Sequence, residues 1–348
     1  MKNKNPYSKR ITEEIEVQIE KEAKQTVKQY IKRNDKKLKK IALITFIIIY
    51  GIFSLIITLN EKIWKNDAIP SWSDLLVSAG LSEGAYKGKL GDVAVHFIDV
   101  EQGDCAFIVA GDYTILIDAG EVSESGKVVQ YLNSLGVEQI DMVVASHPHS
   151  DHIGSLSTVI DEFGAKKLIM PKVAEEMEPI TSSYINMIES AERSKTSIEY
   201  AEVGKTYSFG DSSLEILAPV EDYEDYNNYS IVCKFTYGNS SFLFTGDIEK
   251  LAERDIVDSG ADLSSDVIKI AHHGSKTSSL KIFLQAANPE YAVISVGAPN
   301  DYGHPSEETL EILKLLGIKI YRTDRHGDIV FFTDGNTIEI VKDKDVKY

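Results

Sequence analysis

From residue 92 onward, the chain is built of short apolar runs that close on glycine or aspartate. VAVHFIDV (93–100), CAFIVAG (105–111) and YTILIDAG (113–120) are rich in β-forming residues, which predicts strands. VVQYLNSLG (128–136) predicts a helix that ends at Gly136. SIVCKFTYG and SFLFTGD predict a hairpin around Gly238 and Asn239. Because hairpins occur in each half of this region with helices between them, the pattern favours an α/β sandwich over a doubly wound parallel sheet.

Residues 41–59 (IALITFIIIYGIFSLIITL) follow a different pattern, since they carry no charge. As a helix, this segment would be roughly 28 Å long, which is close to the thickness of one hydrocarbon core. A buried helix of that length in a soluble protein would normally show a polar face. The segment is also too long for the apolar part of a signal peptide, and no A-x-A-like cleavage site clearly follows it. We therefore predict one transmembrane helix over residues 41–59.

The charges beside this segment predict its orientation. Lysines cluster immediately before it (Lys36, Lys37, Lys39 and Lys40), whereas the few that follow are diluted by Glu61 and Asp67. The positive-inside rule then places residues 1–40 in the cytoplasm as a basic segment. Residues 60–91 are interpreted as a linker, and residues 92–348 as an extracellular domain of a single-pass membrane protein.

Composition narrows the chemistry that this domain can carry. Residues 1–40 hold 13 Lys and Arg against 6 Asp and Glu, a net charge of +7, and the remainder holds 24 against 48, a net charge of −24. Only two cysteines occur, Cys105 and Cys233, too few for a thiolate metal cage, and we expect both to be unpaired core thiols. Any metal ligands must therefore be His, Asp or Glu.

Four such side chains crowd the loop SHPHSDHIG (146–154), directly after the apolar run DMVVASH. His147 and His149 alternate in an extended segment and can face one ion. Asp151 and His152, which enter the following helix, can face a second. Imidazole and carboxylate groups suit zinc, and also manganese or iron. Three histidines and an aspartate within six residues predict a metal site at this strand-to-helix loop.

Two further apolar runs end in ligand-type residues. Asp247 follows FLFTG, which alone would be an ordinary strand end, but beside a dinuclear cluster it becomes a candidate bridging carboxylate. His272 and His273 follow IKIA and precede Gly274. The residues by themselves predict that one histidine of this pair binds metal and that the other orients or contacts substrate, without deciding which.

Eight segments occur in an order that resembles the ComEC-type branch of the metallo-β-lactamase superfamily, which is similar to the C-terminal domain of the DNA-uptake competence protein family. They are FIDVEQGDC, ILIDAG, SHPHSDHIG, NNYSIV, FLFTGD, IAHHGSKTSS, YAVISVGAPNDYGHP and YRTDRHGDI, and they span residues 92–340. The resemblance implies a four-layer αββα sandwich with two divalent metal ions, zinc or manganese, at one edge of its sheets. It implies six ligands, with His272 as an alternative to the last, namely His147, His149, Asp151, His152, Asp247 and His273. It also places His304 near the substrate.

The sequence departs from this family pattern in three ways. The third histidine that the superfamily usually has before the Gly-Asp strand is absent, and Asn227 and Asn228 stand nearby. Glu101 occupies the position of a glycine in the family's DVGQGD loop. The many membrane helices of the competence channel are missing, since one is predicted here, so a role in DNA import does not transfer with the domain.

The resemblance implies a metal-dependent hydrolase. Two ions that share a hydroxide would supply a nucleophile at neutral pH, with Asp151 orienting it, Asp247 bridging, and His273 or His304 holding a substrate oxygen. We expect a phosphodiesterase or DNase, with single-stranded DNA favoured because the domain is acidic. The alternatives are a hydrolase of a small or cell-envelope phosphodiester, of the phosphocholine or teichoic-acid type, and a non-catalytic surface interaction module. The sequence identifies no protein partner.

Overall fold

The computed structural model describes residues 21, 24, 25, 28, 51–58 and 92–344. The chain divides into two compact units, Met1–Ser82 and Glu83–Tyr348. In the first unit, residues 51–58 are helical. Within the described part of the chain, no helix has both the length and the apolar character needed to span a membrane. The rest of the predicted transmembrane segment, the linker at 60–91 and almost all of the basic segment lie outside the described residues.

Fifteen strands in the second unit form two sheets. The first sheet has the order β15-β14-β1-β2-β3-β4-β5-β6, and the second has the order β13-β12-β11-β10-β9-β8-β7. The strands of the first sheet are β1 (Val93–Phe97), β2 (Ala106–Ala110), β3 (Tyr113–Ile117), β4 (Ile140–Val144), β5 (Ala165–Met170), β6 (Ser197–Tyr200), β14 (Ile329–Thr333) and β15 (Ile338–Lys342). Those of the second are β7 (Thr206–Phe209), β8 (Ser212–Ala218), β9 (Val232–Tyr237), β10 (Ser240–Phe244), β11 (Val267–Lys269), β12 (Tyr291–Ile294) and β13 (Lys319–Arg322).

Eight α-helices accompany the sheets in the described part of this unit. They are α1 (Ser125–Ser134), α2 (Ser150–Ile153), α3 (Leu156–Phe163), α4 (Ser182–Arg193), α5 (Lys250–Asp258), α6 (Lys281–Ala287), α7 (Glu307–Leu315) and α8 (Thr323–His326). Short 3-10 helices add Val122–Glu124, Glu175–Met177 and Ala271–Gly274. Gly136, with φ 72°, adopts the left-handed conformation expected just beyond the end of α1.

Three apolar cores account for the layering. Alternate strand residues such as Val95, Ile108 and Phe235 meet between the two sheets. The opposite face of the first sheet packs against α1, α3 and α4, and that of the second packs against α5, α6 and α7. The structure thus confirms the predicted two-sheet α/β sandwich, and the β9–β10 hairpin forms as expected, with Tyr237 opposite Ser240. Cys105 and Cys233 are buried and free, also as predicted.

The topology brings distant chain segments to one edge of the sandwich. Strands β3 and β4 are parallel neighbours in the first sheet, and β10, β11 and β12 are parallel neighbours in the second. The carboxyl ends of parallel strands lie at the same edge of a sheet. Backbone hydrogen bonds join the two edges, because the amide of Ile231 donates to the carbonyl of Ser146 at 2.9 Å. The segments that follow β3, β4, β10 and β11 therefore meet.

Candidate metal centre

The loop after β4 brings its histidines together. His147 Nε2 lies 3.0 Å from His149 Nδ1, so two imidazoles face one position. Helix α2 begins directly after His149, and it carries Asp151 and His152 on its first turn. Gly103 allows this turn to pack closely, because a Cβ at that residue would come within 2.4 Å of the carbonyl oxygen of Asp151.

Asp247 lies at the centre of the cluster. Its Oδ1 is 3.2 Å from His152 Nε2, and its Oδ2 is 3.6 Å from His273 Nε2, 3.8 Å from His272 Nε2 and 4.0 Å from His147 Nε2. The carboxylate is only 2% exposed, so it is held among imidazoles rather than by water. A carboxylate whose two oxygens face different histidines could hold two ions if both were bound.

Both residues of the His-His pair face Asp247, in different settings. Their backbones are left-handed, each with φ 52°, a conformation rare for histidine and concentrated at functional sites. His273 is buried; its Nδ1–H donates to the carbonyl of Ser295 at 2.9 Å, and its Nε2 lies 3.2 Å from Asp151 Oδ2. His272 is partly exposed, with Nδ1 3.4 Å from Glu249 Oε1. Burial and a fixed Nδ1–H leave the Nε2 lone pair of His273 available to a metal.

A second layer of charged groups, to which sequence reasoning assigned no role, supports the cluster. Asp118 accepts hydrogen bonds from the backbone amide and hydroxyl of Ser146 (2.7 and 2.6 Å) and lies 2.8 Å from His152 Nδ1. This carboxylate fixes the tautomer of His152 and directs its Nε2 toward Asp247. Behind it, the buried Lys269 contacts Asp104 at 2.7 Å. The sequence holds one indication of this layer, because Asp104 lies in EQGDC and Asp118 lies in ILIDAG, each beside an apolar run.

The field inside the cluster favours cations. Burial opposes the charged form of His152, but the carboxylates of Asp247 and Asp118 raise its pKa well above the usual range. Burial likewise opposes the charge on His273, whose pKa Asp247 and its neighbours raise to about 9. Burial would raise the pKa of Asp247, yet His152 and His273 hold it well below its usual range. A carboxylate field that retains protons here also attracts divalent metal ions, which compete with those protons for the same lone pairs.

Atoms without hydrogen-bond partners also indicate a metal. His152 Nε2 and Asp247 Oδ1 form an ion pair at 3.2 Å, and neither buried atom makes a hydrogen bond to any residue that the structure describes. Buried polar atoms normally have hydrogen-bond partners, so this pair leaves both atoms available to a shared ligand such as a metal ion. Asp151, His152, Asp247 and His273 offer ligand atoms within 4.8 Å of one another. The donor set of imidazoles and carboxylates therefore fits divalent ions.

The departures from the family pattern acquire physical explanations. Asn227 lines the site, and its buried Oδ1 has no hydrogen-bond partner in the described structure. Asn228 points elsewhere, because its Oδ1 accepts from the amides of Glu249 and Ala252 at the start of α5. Glu101 has φ 55°, the left-handed region that a glycine adopts without strain. The family glycine is therefore explained by backbone conformation as well as by charge.

An open cleft of about 330 Å³ leads to the cluster. It is lined by Gln102, His149, Ser150, Asp151, Asn227, Asp247, His272, His273, Tyr302 and His304. His304 packs its ring against His272 at 5.5 Å between centroids, and burial lowers its pKa to about 4. The structure thus places His304 in the wall of the cleft, and the substrate contact that the resemblance implies for it stays a prediction. A more enclosed apolar cavity of about 220 Å³ adjoins the cluster through His147 and Pro148.

Comparison with known proteins agrees with this geometry. A profile of the metallo-beta-lactamase superfamily matches residues 98–298. ComE operon protein 3 of Bacillus subtilis is 30% identical over 258 residues, which cover 68% of this chain and 32% of that protein. Competence protein ComA of Neisseria gonorrhoeae is 31% identical over 263 residues, covering 75% and 35%. Exodeoxyribonuclease WalJ of Streptococcus pneumoniae is 24% identical over 154 residues, covering 44% and 52%. The chain spans about one third of the length of the first two relatives.

The two-sheet sandwich and the histidine–aspartate cluster at its edge define a metal-dependent hydrolase of the metallo-β-lactamase fold. The chain belongs to the metallo-β-lactamase superfamily, as a ComEC-type member, which confirms the resemblance read from its motifs. The particular ligand assignments stay predictions. The structure brings Asp151, His152, Asp247 and His273 together, whereas His147 Nε2 lies 4.0 Å from Asp247 and His149 lies beside His147.

If Asp247 bridges two ions, Asp247→Ala should lower occupancy at both positions, because a single carboxylate serves both. Asp118→Ala should instead weaken metal affinity by roughly 10- to 100-fold through loss of the group that orients His152. Elemental analysis of metal-loaded protein measures both effects. Asp258→Ala, an exposed aspartate at the end of α5, is the control and should keep full occupancy. Loss of one ion or none in Asp247→Ala would contradict the bridging role.

The His-His pair gives a separate prediction. His273→Ala should reduce metal content, because a buried Nε2 that faces Asp151 and Asp247 is removed. His272→Ala should keep its metal and lose turnover of a small chromogenic phosphodiester, since the partly exposed ring lies beside the cleft. Metal content and turnover are measured on the same preparations. The reverse pattern would exchange the two roles.

Proposed function

We propose that this protein is a metal-dependent phosphodiesterase that cleaves DNA, preferably single strands. The observation that carries the proposal is Asp247, a buried carboxylate that faces four histidines beneath an open cleft. When bound, two divalent ions would supply an activated nucleophile and stabilise negative charge at a phosphorus centre. The names of two relatives, a competence protein and an exodeoxyribonuclease, support DNA as the substrate.

The protein's own residues would bind and orient the scissile group. His147, His149, Asp151, His152, Asp247 and His273 would hold the ions. Asp151, half-buried in the wall of the cleft, lies where its carboxylate can orient the attacking group. His304 and Tyr302 stand at the opening, where an imidazole N–H and a phenol can donate to phosphate oxygens.

Preference for single strands follows from the charge of the domain. Duplex DNA carries one negative charge per roughly 1.7 Å and would be repelled by an acidic domain more strongly than a short or single strand. Glu101 adds a negative charge in the loop that carries Gln102, a residue of the cleft wall. The surroundings of the metal centre, rather than its chemistry, would therefore select the substrate.

We expect metal-dependent release of nucleotides from a labelled single-stranded oligonucleotide, and less from the same sequence as a duplex. A chelator should abolish both. Glu101→Gln should improve DNA cleavage by removing a charge, and Glu101→Gly should do the same while raising stability by up to about 1 kcal/mol through relief of the left-handed backbone. Turnover of a small chromogenic phosphodiester with both DNAs intact would refute the nuclease. If the protein binds metal but turns over neither DNA nor the small ester, the non-catalytic interaction module is the alternative that remains.

A small or cell-envelope phosphodiester is the second candidate, and the enclosed cavity beside His147 favours it. Tyr184 and Tyr200 line this cavity together with Glu175 and Glu178. Aromatic rings with carboxylates suit a cationic head group such as that of a phosphocholine unit. Preferential hydrolysis of a choline phosphodiester over DNA would establish this alternative.

We also propose that residues 41–59 anchor the protein in the cell membrane, with the N-terminus in the cytoplasm and the catalytic domain outside. The support is the uncharged segment that follows a lysine cluster. Protease added to intact cells should remove the C-terminal domain and leave the first 40 residues protected, as detected with a tag at each end. A protected C-terminal domain with a digested N-terminus would show the opposite orientation.

A further inference from the structure

A basic cleft lies along the open side of the sandwich, apart from the metal centre. Its volume is about 560 Å³, and we call it the β13 cleft because it runs beside that edge strand. Five cationic side chains line it, together with a single acidic residue, Glu307; the cations are Lys314, Lys319, Arg322, Arg325 and Lys342. In a region of the chain with a net charge of −24, five cations around one cleft form a local exception.

Lys319 and Arg322 have carboxylate partners outside the cleft wall. Lys319 pairs with Glu290 at 2.7 Å, and Arg322 holds both oxygens of Asp324. Lys314 and Arg325 are exposed, and neither forms an ion pair with any residue that the structure describes. The positive charge that a ligand would meet is therefore carried mainly by Lys314 and Arg325, with the partly neutralised cations beside them.

The cleft also offers an apolar and aromatic surface. Leu310, Ile318 and Ile320 line it, and the half-buried ring of Tyr321 lies 5.7 Å from Lys342 Nζ. Proteins that bind single-stranded nucleic acids combine cations along the backbone path with aromatic rings on which bases stack. This combination distinguishes the β13 cleft from a merely charged surface.

The position of the cleft suits a substrate that also reaches the metal centre. Strand β13 is the parallel neighbour of β12, which is the parallel neighbour of β11, the strand that leads into His272 and His273. Two strand spacings amount to about 10 Å. At the carboxyl ends, the hydroxyl of Thr323 in α8 donates to Val296, close to the Ser295 carbonyl that holds His273. A flexible strand of a few nucleotides can extend over that distance.

We propose that the β13 cleft binds the phosphate backbone of single-stranded DNA while another part of the same strand occupies the metal centre. The choice of DNA rests on the proposed function. The cleft gives an acidic domain one attractive path for a polyanion, so the strand would approach along the β13 side. Lys314 and Arg325 are binding residues in this proposal and take no part in the hydrolysis.

The test compares two double variants of the full chain that remove equal charge. Lys314→Gln/Arg325→Gln alters the cleft, and Lys195→Gln/Arg254→Gln removes one exposed lysine and one exposed arginine elsewhere. Binding of a fluorescein-labelled oligodeoxythymidylate is measured by anisotropy over a series of salt concentrations, with a chelator present to prevent cleavage. Poly(glycerol phosphate) serves as a competitor that has phosphodiesters but no bases.

Each phosphate contact with a single strand contributes about 0.7 to the slope of log affinity against log salt, which amounts to about fivefold in affinity at 0.1 M salt. The cleft variant should therefore bind about 25-fold more weakly, with a slope shallower by about 1.4, and the control variant should match the unaltered protein. Both should hydrolyse a small chromogenic phosphodiester at the unaltered rate.

Equal binding by the cleft and control variants would overturn the inference. Binding of poly(glycerol phosphate) through the cleft, with no binding of the oligonucleotide, would overturn the choice of DNA. Binding of DNA through the cleft, with no cleavage of that DNA after the chelator is removed and metal is restored, would instead refute the proposed nuclease and leave the inference standing. The two failures are therefore distinguishable.

Discussion

The burial of Asp247 is the constraint on which the rest of the structure depends. A carboxylate that is 2% exposed loses most of its hydration and must be compensated by positive or polarised groups. The compensating side chains come from the loop after β4 and from the turn after β11, so both sheets must be present and joined at their edge. The fold supplies this convergence because its parallel strands all end on one side.

The side chains that compensate the charge of Asp247 are themselves held by a second layer of residues. His152 is held by Asp118, which in turn is fixed by the backbone and hydroxyl of Ser146. His273 is held by the carbonyl of Ser295, with Asp104 nearby and Lys269 beyond it. Removing one partner of a buried pair such as Lys269 and Asp104 costs about 3–5 kcal/mol, because the other charge is left without compensation. The arrangement is rigid enough to present lone pairs in fixed directions, which is what a metal site requires.

The charges at the candidate metal centre and the charges on the domain surface have different consequences, the first for metal binding and the second for the choice of substrate. The centre provides a strong local field for cations, whereas the surface of the domain is acidic and disfavours extended anions. A ligand rich in phosphates would therefore be admitted only where cations gather, and α7, β13, α8 and β15 bring such cations to one open edge. The cavity on the other side of His147 is largely apolar and is lined by Glu175, Glu178 and Lys172, so it suits a different kind of group. The β13 cleft and this cavity therefore differ in charge, and both lie near the candidate metal centre.

The local spacing of residues in the sequence was enough to predict most of the strands of this protein and the loop of its candidate metal site. The cluster SHPHSDHIG predicted a metal-binding loop because its ligand-type residues are neighbours in the chain, and Asp247 became a candidate because it closes an apolar strand in a chain that carries this cluster. Alternation of apolar residues predicted the strands and the β9–β10 hairpin. The absence of further cysteines predicted free buried thiols. The strands, the hairpin and the metal-binding loop depend on residues within one element or one turn, and the thiol prediction depends on composition alone.

Other features depend on segments that are distant in the chain and meet only in the folded protein, so only the tertiary structure decided them. The roles of Asp104, Asp118 and Lys269 arise from contacts across strands, and the different settings of His272 and His273 arise from Ser295, Asp151 and Glu249. The division of labour between Asn227 and Asn228 depends on the start of α5, and the left-handed backbone of Glu101 depends on a loop closing against other loops. The β13 cleft collects cations that the sequence scatters between residues 314 and 342. In each case, residues from different elements bury each other or pair their charges. The stabilising free energy of these contacts is gained only when the sheets have packed.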